Sequence, residues 1–122
     1  MGITIRRNSK YVKLDPFYGF NKTDGYFGCH KPGNMQNVRT IYTNGDPSEE
    51  AKKLFAQFTS GGKITEKING RFWTCELDDG TSVSLRIDYP PGHAPAVQIS
   101  MRKSKDPAGI VSQKIHFEKK GN

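Results

Sequence analysis

The residues best suited to chemistry gather in the last third of this chain. Arg86, His93, Gln98, Lys114 and His116 fall within a stretch that reads D-G-T-S-V-S-L-R-I-D-Y-P-P-G-H-A-P-A-V-Q-I-S from Asp79 and closes on Q-K-I-H-F at Phe117. Histidine titrates close enough to neutrality to carry a proton in either direction. Arginine binds two phosphate oxygens with its planar fork, and lysine adds a point charge. A base, an acid and cations around one phosphate are what phosphodiester cleavage without a metal requires. His116 is the first choice for proton transfer, His93 the second, and His30 a third. Arg86 is the candidate phosphate clamp, with Lys114 beside it.

Each of these residues also has a plainer role open to it. His116 could be an exposed strand histidine, His93 an ordinary loop residue, and Arg86 one half of a cross-strand ion pair. Glu66 and Glu76 are the carboxylates that could act as a general base. Alternation puts Glu76 on the same face as Arg86, as base or as structural partner. Lys63, Lys67, Arg71, Arg102, Lys103 and Lys105 read as contacts to a nucleic-acid backbone or as a solvated basic rim. Tyr89 and Gln98 complete the candidate RNA-binding set.

Strands must position these groups. Val83, Leu85 and Ile87 alternate with Ser82, Ser84 and Arg86. Val97, Ile99 and Met101 alternate with Ala96, Gln98 and Ser100, and Val111, Ile115 and Phe117 with Ser112, Lys114 and His116. Side chains along a strand point to opposite faces with period two, so each segment offers one apolar face to a core. If the three share a sheet, Arg86, Gln98, Lys114 and His116 meet on its open face.

Upstream, K-I-T-E-K-I and R-F-W-T-C-E-L are joined by Asn69-Gly70, a strong hairpin signal. Before them, Asp46 suits an N-cap, Pro47 the first helical position, and Glu49 an Asp-x-x-Glu pattern. Ala51, Leu54, Phe55 and Phe58 recur at helical spacing, and Gly61-Gly62 provides the stop. The spacing predicts a helix over 47–60 and an antiparallel meander over 63–118. Residues 15–47 are rich in Gly, Asn, Pro and aromatics and read as irregular, with V-R-T-I-Y-T at 38–43 as one further strand. Phe17, Tyr18, Phe20, Tyr26 and Phe27 would anchor that segment or stack on bases. Residues 3–14 could form an edge strand. The predicted fold is α+β: one domain over 1–122, with a four- to five-stranded antiparallel sheet and an amphipathic helix packed on one face.

The net charge is +7 over 122 residues, which favours a polyanionic partner, nucleic acid before an anionic membrane surface. No apolar run is long enough to span a membrane, and the first residues lack the apolar core of a signal peptide. Two cysteines are too few for a disulfide framework. Cys75 sits where a buried free thiol is ordinary, and Cys29-His30 lacks a second pair at zinc spacing, so no cofactor or metal is expected.

The order of features also carries a resemblance. A capped helix ends in F-x-x-G-G, then come a hairpin, D-G-T-x-V-x-x-R, G-x-x-P-A-V-x-I and a terminal K-I-H-F. From about Pro47 to Phe117 this resembles the C-terminal toxin domains of bacterial polymorphic and contact-dependent toxins with the barnase–EndoU–colicin–RelE-like (BECR) fold. The resemblance implies a metal-independent ribonuclease, often acting on transfer RNA. It implies delivery from the cell surface or by secretion as the end of a larger toxin, action in the target-cell cytoplasm, and neutralisation by a cognate immunity protein. It places the family's sheet-face arginine on Arg86 and the basic pair of the last strand on Lys114 and His116. The serine-rich stretch of related domains is replaced here by D-Y-P-P-G-H-A-P, which keeps Gly92 and Pro95 and offers Tyr89 and His93 instead. Cleavage would leave a 2′,3′-cyclic phosphate. The alternative reading is a non-catalytic, basic nucleic-acid-binding module; a further class is a domain that meets an acidic protein partner.

Overall fold

The helix forms where the capping residues place it. In the computed structural model, which describes residues 17–60, 62–78, 80–101 and 110–121, α1 spans Pro47–Thr59. Asp46 takes an extended conformation and its carboxylate accepts the Ser48 backbone N–H at 3.2 Å. Glu49 and Glu50 sit at the positive end of the helix dipole. Ala51, Leu54, Phe55 and Phe58 form one buried stripe.

The described residues form nine strands: β1 (Phe20–Asn21), β2 (Tyr26–Phe27), β3 (Cys29–His30), β4 (Val38–Thr43), β5 (Lys63–Ile68), β6 (Phe72–Glu76), β7 (Ser82–Arg86), β8 (Ala96–Ser100) and β9 (Ser112–Lys119). The class is α+β, as expected, but the sheet is larger and mixed. Seven strands run in the order β3-β4-β9-β8-β7-β6-β5, and β1 and β2 form a separate pair. The antiparallel succession from β5 to β9 matches the predicted meander. The correction comes at its end: β4 pairs parallel with β9, Val38 opposite Lys114 through Thr43 opposite Lys119. After β4 the chain crosses through α1 to the far edge, then returns strand by strand until β9 lies against β4. Local alternation carries no information about that distant pairing.

One face of the sheet is covered by α1 and the β1–β2 hairpin. Leu54, Phe55 and Phe58 pack with Val83, Leu85, Val97, Ile99, Ile115 and Phe117 in one core. The segment read as irregular supplies three short strands and a second aromatic layer. Phe17 and Phe27 lie 4.4 and 5.8 Å from the Phe58 ring, and Phe20 lies 5.2 Å from Phe27. Tyr18, by contrast, is exposed.

Two buried polar residues fasten this hairpin. The Gln113 amide accepts the Phe27 N–H at 3.0 Å and donates to the Gly25 carbonyl at 2.8 Å. Arg39 donates to the Phe27 and Gly28 carbonyls, pairs with Asp24 at 3.1 Å and lies 4.7 Å from the Tyr26 ring centre. Gly28 has φ +57°, and a Cβ there would collide with the Thr40 backbone carbonyl, so the close crossing of the hairpin over β4 needs glycine. Gln113 also corrects the expected β9 pattern. It holds the inward position before Ile115 and Phe117, while Val111 lies outside the strand and is half exposed.

The buried Cys75 is a free thiol whose pKa burial pushes up, and Cys29 is free and exposed. Arg102, Lys103, Lys105 and the expected strand over 3–14 lie outside the described residues.

Candidate functional site on the open sheet face

The other face of the sheet carries no helix among the described residues; Thr40 and Ala96 on it are buried, and its register gives the layout. Phe72, Arg86, Ala96, His116 and Thr40 lie in one row across β6, β7, β8, β9 and β4. The adjacent row reads Thr74, Ser84, Gln98, Lys114 and Val38. Next come Lys63, Glu76, Ser82, Ser100 and Ser112. Arg86 and His116 flank the small Ala96, two strand spacings or about 10 Å apart at the backbone. Lys114 stands directly across from Gln98. Arg86, Gln98, Lys114 and His116 therefore share one face, as alternation predicts.

Arg86 is partly buried, its guanidinium lies 4.9 Å from the Phe72 ring centre, and its Nε has no hydrogen-bond partner among the described residues. Neither Asp88 nor Glu76 pairs with it. Asp88 lies beyond β7 and pairs with Arg71 at 3.1 Å. Glu76 faces Ser82, four residues along β6 from Phe72, which is the residue opposite Arg86. Glu76 is thus no close neighbour of Arg86, because the hairpin register slides it away. Glu66 is engaged elsewhere and accepts the Gly70 N–H at 2.7 Å. A partly buried guanidinium over an aromatic ring, with no carboxylate beside it among the described residues, retains its capacity for an anion.

His116 is partly buried, and its pKa is held below the ordinary histidine value. Burial is the main cause, and the charges of Lys114, Lys31 and His93 act in the same direction against an opposing pull from Glu118. That balance favours neutral imidazole. His93 is exposed on the 88–95 loop, close enough for its charge to act on His116. Asp88, in the left-handed region at φ 52°, organises this loop. Its carboxylate accepts the Gly92 N–H at 2.7 Å, while Arg71 donates to its carbonyl at 2.8 Å. The His93 N–H closes on the Pro90 carbonyl at 3.1 Å, and Pro95 accepts the Phe117 N–H at 2.9 Å, which ties the loop to β9.

The remaining candidates divide. Tyr89 stacks on Phe72 with centres 5.8 Å apart, extending the aromatic surface beside Arg86. Lys63 lies on the open face at the edge strand. Arg71 is committed to Asp88 rather than free for a ligand. His30 does not join the cluster: it pairs in register with Arg39, whose side chain faces the hairpin layer, and its Nε2 contacts the Asn34 carbonyl at 2.8 Å.

Two residues escaped sequence reasoning. Glu118 follows Lys114 and His116 on the same face of β9 and pairs with Lys31 at 2.8 Å; that bond is the main cause raising the Lys31 pKa. The alternation already marked in K-I-H-F extends to Glu118 and could have found it. Phe72, the ring against which Arg86 rests, becomes visible only through cross-strand register.

Among the described residues no three His, Cys, Asp or Glu side chains gather in a way that could hold a metal ion. No helix among them is long and apolar enough to cross a membrane. Compared with protein families, curated proteins and solved structures, the chain matches none.

Proposed function

We propose that the open sheet face binds RNA and cleaves it by attack of a 2′-hydroxyl on the adjacent phosphate. The observation that carries this reading is the partly buried Arg86 without an anionic partner among the described residues, in one row with His116 and one row from Lys114. Arg86 clamps the phosphate, and Lys114 neutralises charge as it builds on the non-bridging oxygens. Neutral His116 accepts the 2′-hydroxyl proton, His93 on its tethered loop donates a proton to the departing 5′-oxygen, and the product is a 2′,3′-cyclic phosphate. These proton carriers need no metal, and the net charge of +7 suits a polyanionic substrate such as transfer RNA. In this reading the domain is the ribonuclease end of a bacterial toxin, delivered to the cytoplasm of another cell and blocked in its producer by an acidic immunity protein that covers the same face.

Purified protein incubated with transfer RNA in EDTA should yield fragments ending in cyclic phosphate, and His116→Ala should abolish them. Intact RNA, or unchanged cleavage by that variant, defeats the reading. The stacked Phe72–Tyr89 pair supports a second one, a non-catalytic module that stacks bases on this platform. It predicts salt-dependent RNA binding without scission.

A further inference from the structure

Beside the cationic row lies a depression of about 220 Å³ lined by Thr74, Ser82, Ser84, Gln98 and Ser100, with Val83 at its base. Its size falls below that of pockets for drug-sized ligands, which begin at roughly 300 Å³. A planar fragment fits such a space; a whole nucleotide does not. The polar lining is unspent, because none of these five side chains hydrogen-bonds to another described residue. All except Ser82 are at least partly buried.

Its position relates it to the phosphate site. Ser84 and Arg86 are successive residues on one face of β7, about 7 Å apart along the strand. Gln98 lies between Ser84 and Lys114 in the register. A group in the depression is therefore separated from a phosphate on Arg86 and Lys114 by the span of a ribose. A side-chain amide offers one acceptor and two donors in a plane. One donor beside one acceptor is what the exposed edge of each nucleobase presents: adenine its amino group beside a ring nitrogen, uracil its N3–H beside a carbonyl oxygen. Thr74, Ser84 and Ser100 supply hydroxyls that can turn to either role.

We infer that this depression is a nucleobase subsite, in which Gln98 hydrogen-bonds the base edge, next to the phosphate held by Arg86 and Lys114. The inference rests on the RNA reading of the cationic row and adds to it a contact to the base. Single-stranded RNA is read in this manner, on exposed base edges.

The test is a titration of the ¹⁵N-labelled protein with each of the four nucleoside 5′-monophosphates and with inorganic phosphate, followed by NMR. The nucleotides should shift the Gln98 side-chain amide and the backbone amides of Ser84 and Ser100, and should bind about tenfold more tightly than inorganic phosphate, within the range of a bidentate base contact. Inorganic phosphate should shift the Arg86 and His116 signals and leave the depression unmoved. Gln98→Ala should bring the nucleotides within about twofold of inorganic phosphate. Ser84→Ala, a smaller change on the same surface, should weaken nucleotide binding without altering that of phosphate.

Nucleotides that bind no more tightly than inorganic phosphate, or shifts confined to the cationic row, overturn the subsite and leave the ribonuclease reading intact. Nucleotide binding through the depression in a protein that leaves RNA intact upholds the subsite and removes the catalytic reading.

Discussion

Replacement of Gln113 by leucine should destabilise the protein even though it restores the apolar pattern of β9. Gln113 is 2% exposed, points into the core between β9 and the hairpin, and satisfies the Phe27 N–H and the Gly25 carbonyl. Leucine of similar volume leaves both backbone groups buried and unpaired, at roughly 1–3 kcal/mol each. The added apolar burial offsets about 1–2 kcal/mol of that. The net loss is about 2–3 kcal/mol, a large part of the stability of a small domain and equivalent to a fall in Tm on the order of 10 °C at this size. Urea and thermal unfolding followed by circular dichroism measure it directly. Gln57→Leu makes the same chemical change at an exposed helix position and should stay within about 0.5 kcal/mol of the parent. If Gln113→Leu is as stable as the parent, packing outweighs the two backbone bonds and the hairpin is not held by this amide.

Arg86→Ala should lower RNA cleavage by about 10²-fold or more while leaving Tm nearly unchanged, because its guanidinium has no carboxylate partner among the described residues; parallel losses of both would make it a structural residue. The lowered His116 pKa implies that the unfolded chain takes up the proton first, so its contribution to stability is full above about pH 6.5 and is lost as pH falls through the lower folded-state value. Urea midpoints at pH 7.5 and 5.5 should therefore converge in His116→Gln, and an unaltered pH dependence would contradict this. Asp88→Ala should release the Gly92 N–H and the Arg71 contact, seen as faster hydrogen exchange at Gly92 and slower cleavage with little change in Tm. Gly28→Ala should cost about 2–5 kcal/mol, from left-handed strain and the collision with Thr40, and an unfolding midpoint near that of the parent would rule the collision out.

Local patterns determined a large share of this molecule. Asp46 and Pro47 started the helix where capping chemistry places it, and Asn69-Gly70 turned the β5–β6 hairpin. Period-two alternation put Arg86, Gln98, Lys114 and His116 on one face of β7, β8 and β9, because side-chain direction follows from backbone geometry alone. Only the tertiary structure decided which residues on that face are neighbours. Register set Phe72 rather than Glu76 opposite Arg86, and it placed the depression between β6 and β8. The parallel pairing of β4 with β9, and the capture of the Gly-rich segment by Arg39 and Gln113, depend on contacts between residues far apart in the chain. A buried glutamine in an apolar register looks like an error when β9 is read alone. The two backbone groups that require it belong to a hairpin 86 and 88 positions away.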